Sequence, residues 1–236
     1  MDHPWKQKHA ELHKKGFESW ISSFILGCQD GLVNVLGILL GVAAATGDVR
    51  IIIIAGLAAT FAESISMAAV AYTSSKAEAA YYQKELAREK WEIRNWPDRE
   101  KQEVRVIYRR KGFTGPLLEA IVRKITSKKS RWLRTMMEEE VKLSPPRASP
   151  LAEGAVVGAS AIVGSLVPLV PFFFLPVAGG IETTLIISAA ALFAIGAYKA
   201  KITVGRWWSN GLEMATIGMA AAVIGYLIGS ALGVVV

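Results

Sequence analysis

The sequence predicts an all-α polytopic membrane protein with five transmembrane helices and a cytoplasmic three-helix domain. Three observations lead there. Of the 236 residues, 52% are hydrophobic and 20% charged, and the charges crowd into a few segments while other stretches carry almost none, the segregation expected of a chain that meets lipid. Five runs approach or exceed the roughly 20 apolar residues that a bilayer core demands of a helix: Trp20–Ala45, Ile51–Thr73, Leu151–Pro176, Ile181–Tyr198 and Trp207–Val236. The basic residues are one-sided as well. Of the 27 Lys and Arg, four lie in 1–19, nineteen in 74–150 and three in 199–206, which leaves only Arg50. Five crossings put these three segments on one face, and positive loops stay on the cytoplasmic side. The expected order is a cytoplasmic N-terminal tail (1–19), spans one and two (20–73), a cytoplasmic helical domain (74–150) and spans three to five (151–236), with the C-terminus outside.

The first span is too long and too Gly-rich for a cleaved leader, so it is expected to stay as an anchor. The second span leads into Ala77–Ile93, rich in Ala, Glu, Lys and Leu without Gly or Pro, which extends the helix into the cytoplasm as a rod. Asn95-Trp96-Pro97-Asp98 breaks it, and Asp98 is placed to cap a short helix running to about Arg110. Gly112 and Gly115-Pro116 make the next turn, and Leu117–Leu143 is expected as a third helix ending before Ser144-Pro145-Pro146. In the third span Pro168 and Pro171 each remove a backbone donor, which frees carbonyls. Small residues recur four apart at Gly27 and Gly31, Gly37 and Gly41, Gly154 and Gly158, and Gly225, Gly229 and Gly233, a spacing that lets helix backbones approach closely in lipid.

Several function classes fall away. The net charge of +7 accords with membrane orientation and anionic head groups, so no nucleic-acid partner is expected. Cys28 is the only cysteine, which excludes an intrachain disulfide and a cysteine-based metal cluster. No Walker loop, Gly-x-Ser-x-Gly elbow or zinc-protease motif is present, so the chain is not expected to be an enzyme. A ferritin-like di-iron oxidase requires Glu-x-x-His pairs on bundle helices, whereas His3, His9 and His13 all lie in the tail, where they either scavenge metal or belong to a frayed terminus.

A carboxylate near mid-membrane costs roughly 2.5–3.5 kcal/mol on insertion scales. Asp30, about ten residues into the first span, therefore reads as a metal ligand or proton carrier, with a packing hydrogen bond to Asn34 as the alternative. Glu63 and Met67, four apart in the second span, share one helix face and pair a hard oxygen with a soft thioether. Glu153 and Glu213 sit near span entrances, where a carboxylate is readily hydrated. In the polar segment, Glu85, Glu89 and Glu92 share a face, Glu100 and Glu103 repeat the close spacing, and Met136-Met137-Glu138-Glu139-Glu140 adds a third cluster. Carboxylates from three helices converging on divalent cations is one reading; a solvated face balanced by Lys84, Arg88, Lys90 and Arg99 is the other.

With these residues in view, the chain resembles the vacuolar iron transporter family. The likeness covers most of its length: Gly27-x-x-Asp30-Gly31-Leu32, Ile65-Ser66-Met67 through Tyr72 to Ser75-Lys76-Ala77-Glu78, the Glu-rich polar helices, Pro168-Leu169-Val170-Pro171 and the Gly-rich last span. It departs at Ala68-Ala69-Val70-Ala71, where the family tends to carry a Gly-containing run, and at Ala77, where serine is common. The resemblance implies a homodimer of five-span protomers in the lipid bilayer, exchanging cytosolic Fe2+ for H+, with no permanent cofactor. It implies pathway roles for Asp30 and Met67, and metal-collecting roles for Glu89, Glu92, Glu100, Glu103, Met136, Met137 and Glu140. Glu63 joins the pathway on physical grounds alone. A Mn2+-preferring carrier and a membrane-anchored metal sensor or store without flux are the alternative expectations. The membrane would be the cytoplasmic one in a prokaryote and a vacuolar one in a eukaryote.

Overall fold

A computed structural model describes residues 4–146, 148–202 and 205–233, with side chains described from Trp20 onward; the tail histidines His3, His9 and His13 therefore lie outside the described side chains. The helices in order are α1 (Pro4–Thr46), α2 (Val49–Asn95), α3 (Pro97–Arg110), α4 (Gly115–Thr126), α5 (Lys129–Thr135), a π-turn (Met136–Glu140), α6 (Pro150–Leu169) leading into a 3-10 turn (Val170–Phe173), α7 (Val177–Ile202) and α8 (Trp207–Leu232). Five of these are long and apolar enough to cross a membrane: Trp20–Thr46 of α1, α2, Pro150–Phe173, α7 and α8. The chain divides into two compact units, one of residues 1–73 with 150–236 and one of residues 74–149.

In the first unit α1 is the central helix, and glycines set its neighbours. At Gly27 and Gly31 an added Cβ would strike Val157, Ser160, Ala161 and Ser165 of α6, and at Gly164 it would strike the Cys28 backbone. Gly225 and Gly229 of α8 approach the Gly37 and Gly41 backbones in the same way. Leu32, Leu36 and Leu40 pack with Leu192 and Ala222 of α7 and α8, while Val35, Leu39 and Ala43 pack with Ile52, Leu169 and Phe172. Helix α2 meets α6 where Gly154 and Gly158 lie against Ser64, Ala68 and Tyr72. The close approach at Ala68 is thus made by the two glycines of α6. After Pro168 the α-helix gives way to the 3-10 turn at Val170, and the Pro168 carbonyl accepts a 2.6 Å hydrogen bond from Thr184 Oγ1, so a buried backbone acceptor is satisfied by a neighbouring helix.

The second unit departs from the expected three straight helices. Pro97 is the first residue of α3 and Trp96 its N-cap, with no side-chain cap; Asp98, expected as the cap, lies in the first turn and pairs with Lys101 at 3.1 Å. The segment expected as one helix, Leu117–Leu143, is α4, a break at Ser127-Lys128, α5 and the π-turn. The reason lies in the core. Leu118 and Met136 both belong to the apolar cluster formed with Ile93, Val104, Val122, Ile125 and Trp132, yet on a straight helix they would stand roughly 27 Å apart. Only a turn between them lets both be buried together. Arg105 joins α3 to α4 through a bidentate pair with Glu119 at 2.6 and 2.8 Å, and Lys111 ties the end of α3 to Glu139 of the π-turn.

Candidate metal centre

Each unit gathers acids, and each site is built from the helices that carry it. In the second unit, α2 presents Glu89, α3 presents Glu100 and the π-turn presents Glu140, and one carboxylate oxygen from each lies within 4.8 Å of the others. Three helices contribute one oxygen each. Glu89 and Glu100 are almost fully buried, and Oε2 of each has no hydrogen-bond partner. A buried carboxylate oxygen without a donor is costly, and a cation among the three would satisfy both. The single π-turn has a visible consequence: it puts Met136 into the apolar core and Glu140 among the acids, and π-bulges are frequent at functional sites.

The electrostatics record the crowding. Burial, then the neighbouring Glu103, Glu89, Glu92 and Glu140 charges, push the Glu100 carboxyl up to about 7. Glu140 is exposed as a residue, and its carboxyl lies close to those of Glu89 and Glu100. Burial there, followed by the Glu103 and Glu89 charges and a hydrogen bond with Glu103, also pushes it up to about 7. Burial raises Glu89 too, opposed by a hydrogen bond from Arg88. Arg88, half exposed, stands beside three acids, its Nη1 2.8 Å from Glu85, Nη2 3.3 Å from Glu89 and Nε 3.7 Å from Glu92. The outer acids are balanced by arginines, Arg99 pairing with Glu103 at 3.2 Å, while the inner three are not fully balanced.

Of the seven residues implied as metal-collecting, the structure brings Glu89, Glu100 and Glu140 together. It sets Glu92 and Glu103 at the rim and Met136 in the core. Met137 is buried along a cavity of about 360 Å³ with Tyr82, Leu86, Leu133 and Leu143.

In the first unit, Asn34 Nδ2 donates to Glu63 Oε1 at 3.0 Å and to Asp30 Oδ2 at 3.4 Å. One amide thus bridges the acids of α1 and α2. Asp30, Glu63 and Met67 are all partly exposed, with Met67 one turn beyond Glu63. Asn34 is the residue that sequence reasoning undervalued: its spacing shows the Asp30 contact, but the reach to Glu63 depends on how α1 and α2 pack. Glu153 accepts a hydrogen bond from Ser23 of α1, which gives it a packing role, and Glu213 is exposed.

Comparison with known proteins bears on the whole chain. A vacuolar iron transporter 1 of Eucalyptus grandis is 33% identical over 217 residues, spanning 91% of this chain and 87% of its own length. A vacuolar iron transporter 2 of Oryza sativa is 31% identical over 217 residues, with 91% and 88% covered. The vacuolar iron transporter of Plasmodium falciparum is 30% identical over 233 residues, with 94% and 85% covered. The family model that describes the VIT family matches residues 21–230, through all five apolar helices and the acidic unit between them; the chain belongs to the VIT family.

Proposed function

We propose that this protein carries Fe2+ across a membrane, out of the cytosol, in exchange for protons. The observation that carries the reading is the convergence of Glu89, Glu100 and Glu140, with two buried oxygens that lack any donor. Carboxylates whose proton affinity lies near neutrality can trade protons for a divalent cation at cellular pH. In this reading the second unit faces the cytosol and collects metal, as the placement of Lys and Arg suggests. Asp30, Glu63 and Met67 then form the path within the spans, where Asn34 holds the two carboxyls together. The relatives named as iron transporters support iron as the cargo. The protein is further proposed to work as a homodimer, because Asp30, Asn34 and Glu63 are left partly open on helices that meet lipid.

The test is Fe2+ uptake into inside-out proteoliposomes with and without an imposed pH gradient. Gradient-dependent uptake that Asp30→Ala abolishes is expected; wild-type flux in that variant, or indifference to the gradient, refutes the coupled pathway. Metal binding without any flux would instead make the protein a sensor or store. One observation favours a second cargo. With Met136 in the apolar core, the buried cluster is formed by carboxylate oxygens, and an all-oxygen set suits Mn2+. Competition between Fe2+ and Mn2+ in the same vesicles separates the two.

A further inference from the structure

Two adjoining cavities in the first unit have no part in the proposed metal path. The first is an apolar groove of about 640 Å³ between α1, α6 and α7, lined by Trp20, Phe24, Cys28, Val156, Ile195 and Tyr198 among others. From Trp20 to Cys28 it follows roughly 12 Å of α1. The second is a cleft of about 710 Å³ at the junction of α7 and α8, lined by Tyr198, Lys201, Arg206, Trp207 and Trp208. Tyr198 lines both, so the apolar groove and the basic cleft adjoin at one side chain.

The cleft is built to attract an anion in two independent ways. Lys201 and Arg206 are exposed, and among the described residues neither forms an ion pair. The 26-residue helix α8 begins there with Arg206 at its N-cap position and no side-chain cap on its first turn. A helix N-terminus carries about half a positive charge and a fan of free donors. Beside it, Trp20, Tyr198, Trp207 and Trp208 are half exposed, the amphipathic rings that settle at a membrane interface. A molecule with a phosphate at one end and a long apolar chain at the other matches both cavities at once.

We propose that the groove and cleft together form a binding site for one anionic phospholipid, with its phosphate against Lys201, Arg206 and the start of α8 and an acyl chain in the groove beside Trp20, Cys28 and Ile195. A zwitterionic lipid fits the groove equally well, but its own cation offsets the attraction of the cleft. The site is independent of metal transport, so its success or failure leaves the proposed function untouched.

The test uses the full chain in vesicles of phosphatidylcholine doped with phosphatidylglycerol, read by native mass spectrometry of the lipid kept by the released protein. A photoactivatable phosphatidylglycerol maps the contact. Preferential retention of phosphatidylglycerol is expected, with adducts in 20–28 and 194–198. Lys201→Gln with Arg206→Gln should reduce that preference roughly fivefold for each charge removed. Ala194 of α7 also lines the groove, so Ala194→Phe, which fills it and leaves the charges in place, should remove the adducts. Both cationic residues are exposed, so the double variant is expected to fold, and size exclusion with thermal unfolding confirms it. Equal retention of the two lipids, adducts spread evenly over the apolar helices, or wild-type preference in the folded double variant overturns the proposal. So does a groove found covered by a second copy of the chain in place of lipid, or full displacement by inorganic phosphate, which has no acyl chain to hold.

Discussion

Glu100 and Glu140 hold protons near neutrality because burial and neighbouring acids disfavour their charge. The sign of the resulting pH dependence is fixed. An unfolded glutamate titrates at about 4.3, so between that value and about 7 the folded state binds more protons than the unfolded one, and stability falls as pH rises through the window. Metal-free protein should therefore unfold at a lower temperature at pH 8 than at pH 5. Added Fe2+ or Mn2+ should raise that temperature more at pH 8, where the ligands are ionised. Affinity follows the same protons: on the order of tenfold to hundredfold tighter binding is expected at pH 8 than at pH 6 if both carboxyls must be free. Glu100→Gln tests the assignment. Loss of a residue that merely orients a ligand costs roughly 10–100-fold in affinity, so loss of a ligand should cost at least as much by calorimetric titration, with a flatter pH profile. Unchanged affinity in a folded Glu100→Gln protein would remove Glu100 from the site. Half of this chemistry is visible in the sequence: the spacing of Glu85, Glu89 and Glu92 shows a shared acidic face. Which acids are buried and which meet Arg88 depends on tertiary packing that no spacing encodes.

Among the elements, the apolar helices are the most legible, since hydropathy and length decide them and their ends agree with the runs in the sequence to within a few residues, except that α2 continues past Thr73 to Asn95. The break in Leu117–Leu143 is not legible. Ser127-Lys128-Lys129-Ser130 contains neither Gly nor Pro, and the chain turns there because two distant apolar residues must share one core. The glycine spacings were readable as contacts without partners, and the structure supplies the partners. It also ranks them. At Gly164 an added Cβ collides with the Cys28 backbone, which cannot move aside without parting α1 from α6, whereas at Gly37 the nearest atom is the Ala221 carbonyl oxygen at 3.5 Å, an ordinary contact. Gly164→Ala should therefore destabilise by about 1–3 kcal/mol or more, the usual cost of overpacking. Gly37→Ala should be near neutral or slightly stabilising, because alanine is the better helix former. Thermal unfolding in detergent compares them directly, and equal melting temperatures would mean that α1 and α6 do not pack as described.

At the scale of the whole molecule, the difficulty is the polar bridge Asp30–Asn34–Glu63, which lies on apolar helices and is only partly buried within one chain. Ionisable side chains in membranes are rare and face a bundle interior or a water-filled cavity, because contact with hydrocarbon costs several kcal/mol. A single protomer in lipid would leave the edge of this bridge open to that cost. A second copy packed against α1 and α2 would cover it and, by two-fold symmetry, bring two sets of acids together. The protein is therefore expected to run in mild detergent at twice its 25.5 kDa chain mass by light scattering. In a Cys28→Ser background, Asn34→Cys removes the bridge and reports on the interface: oxidation should link two chains covalently if Asn34 lies near the symmetry axis. Replacing Asn34 by leucine should keep the dimer, since the surface becomes more apolar, while Fe2+ flux falls because the two carboxyls lose the amide that holds them together. A monomer of wild-type transport rate would refute the shared interface. A dimer that Asn34→Leu leaves fully active would place the metal path away from the bridge.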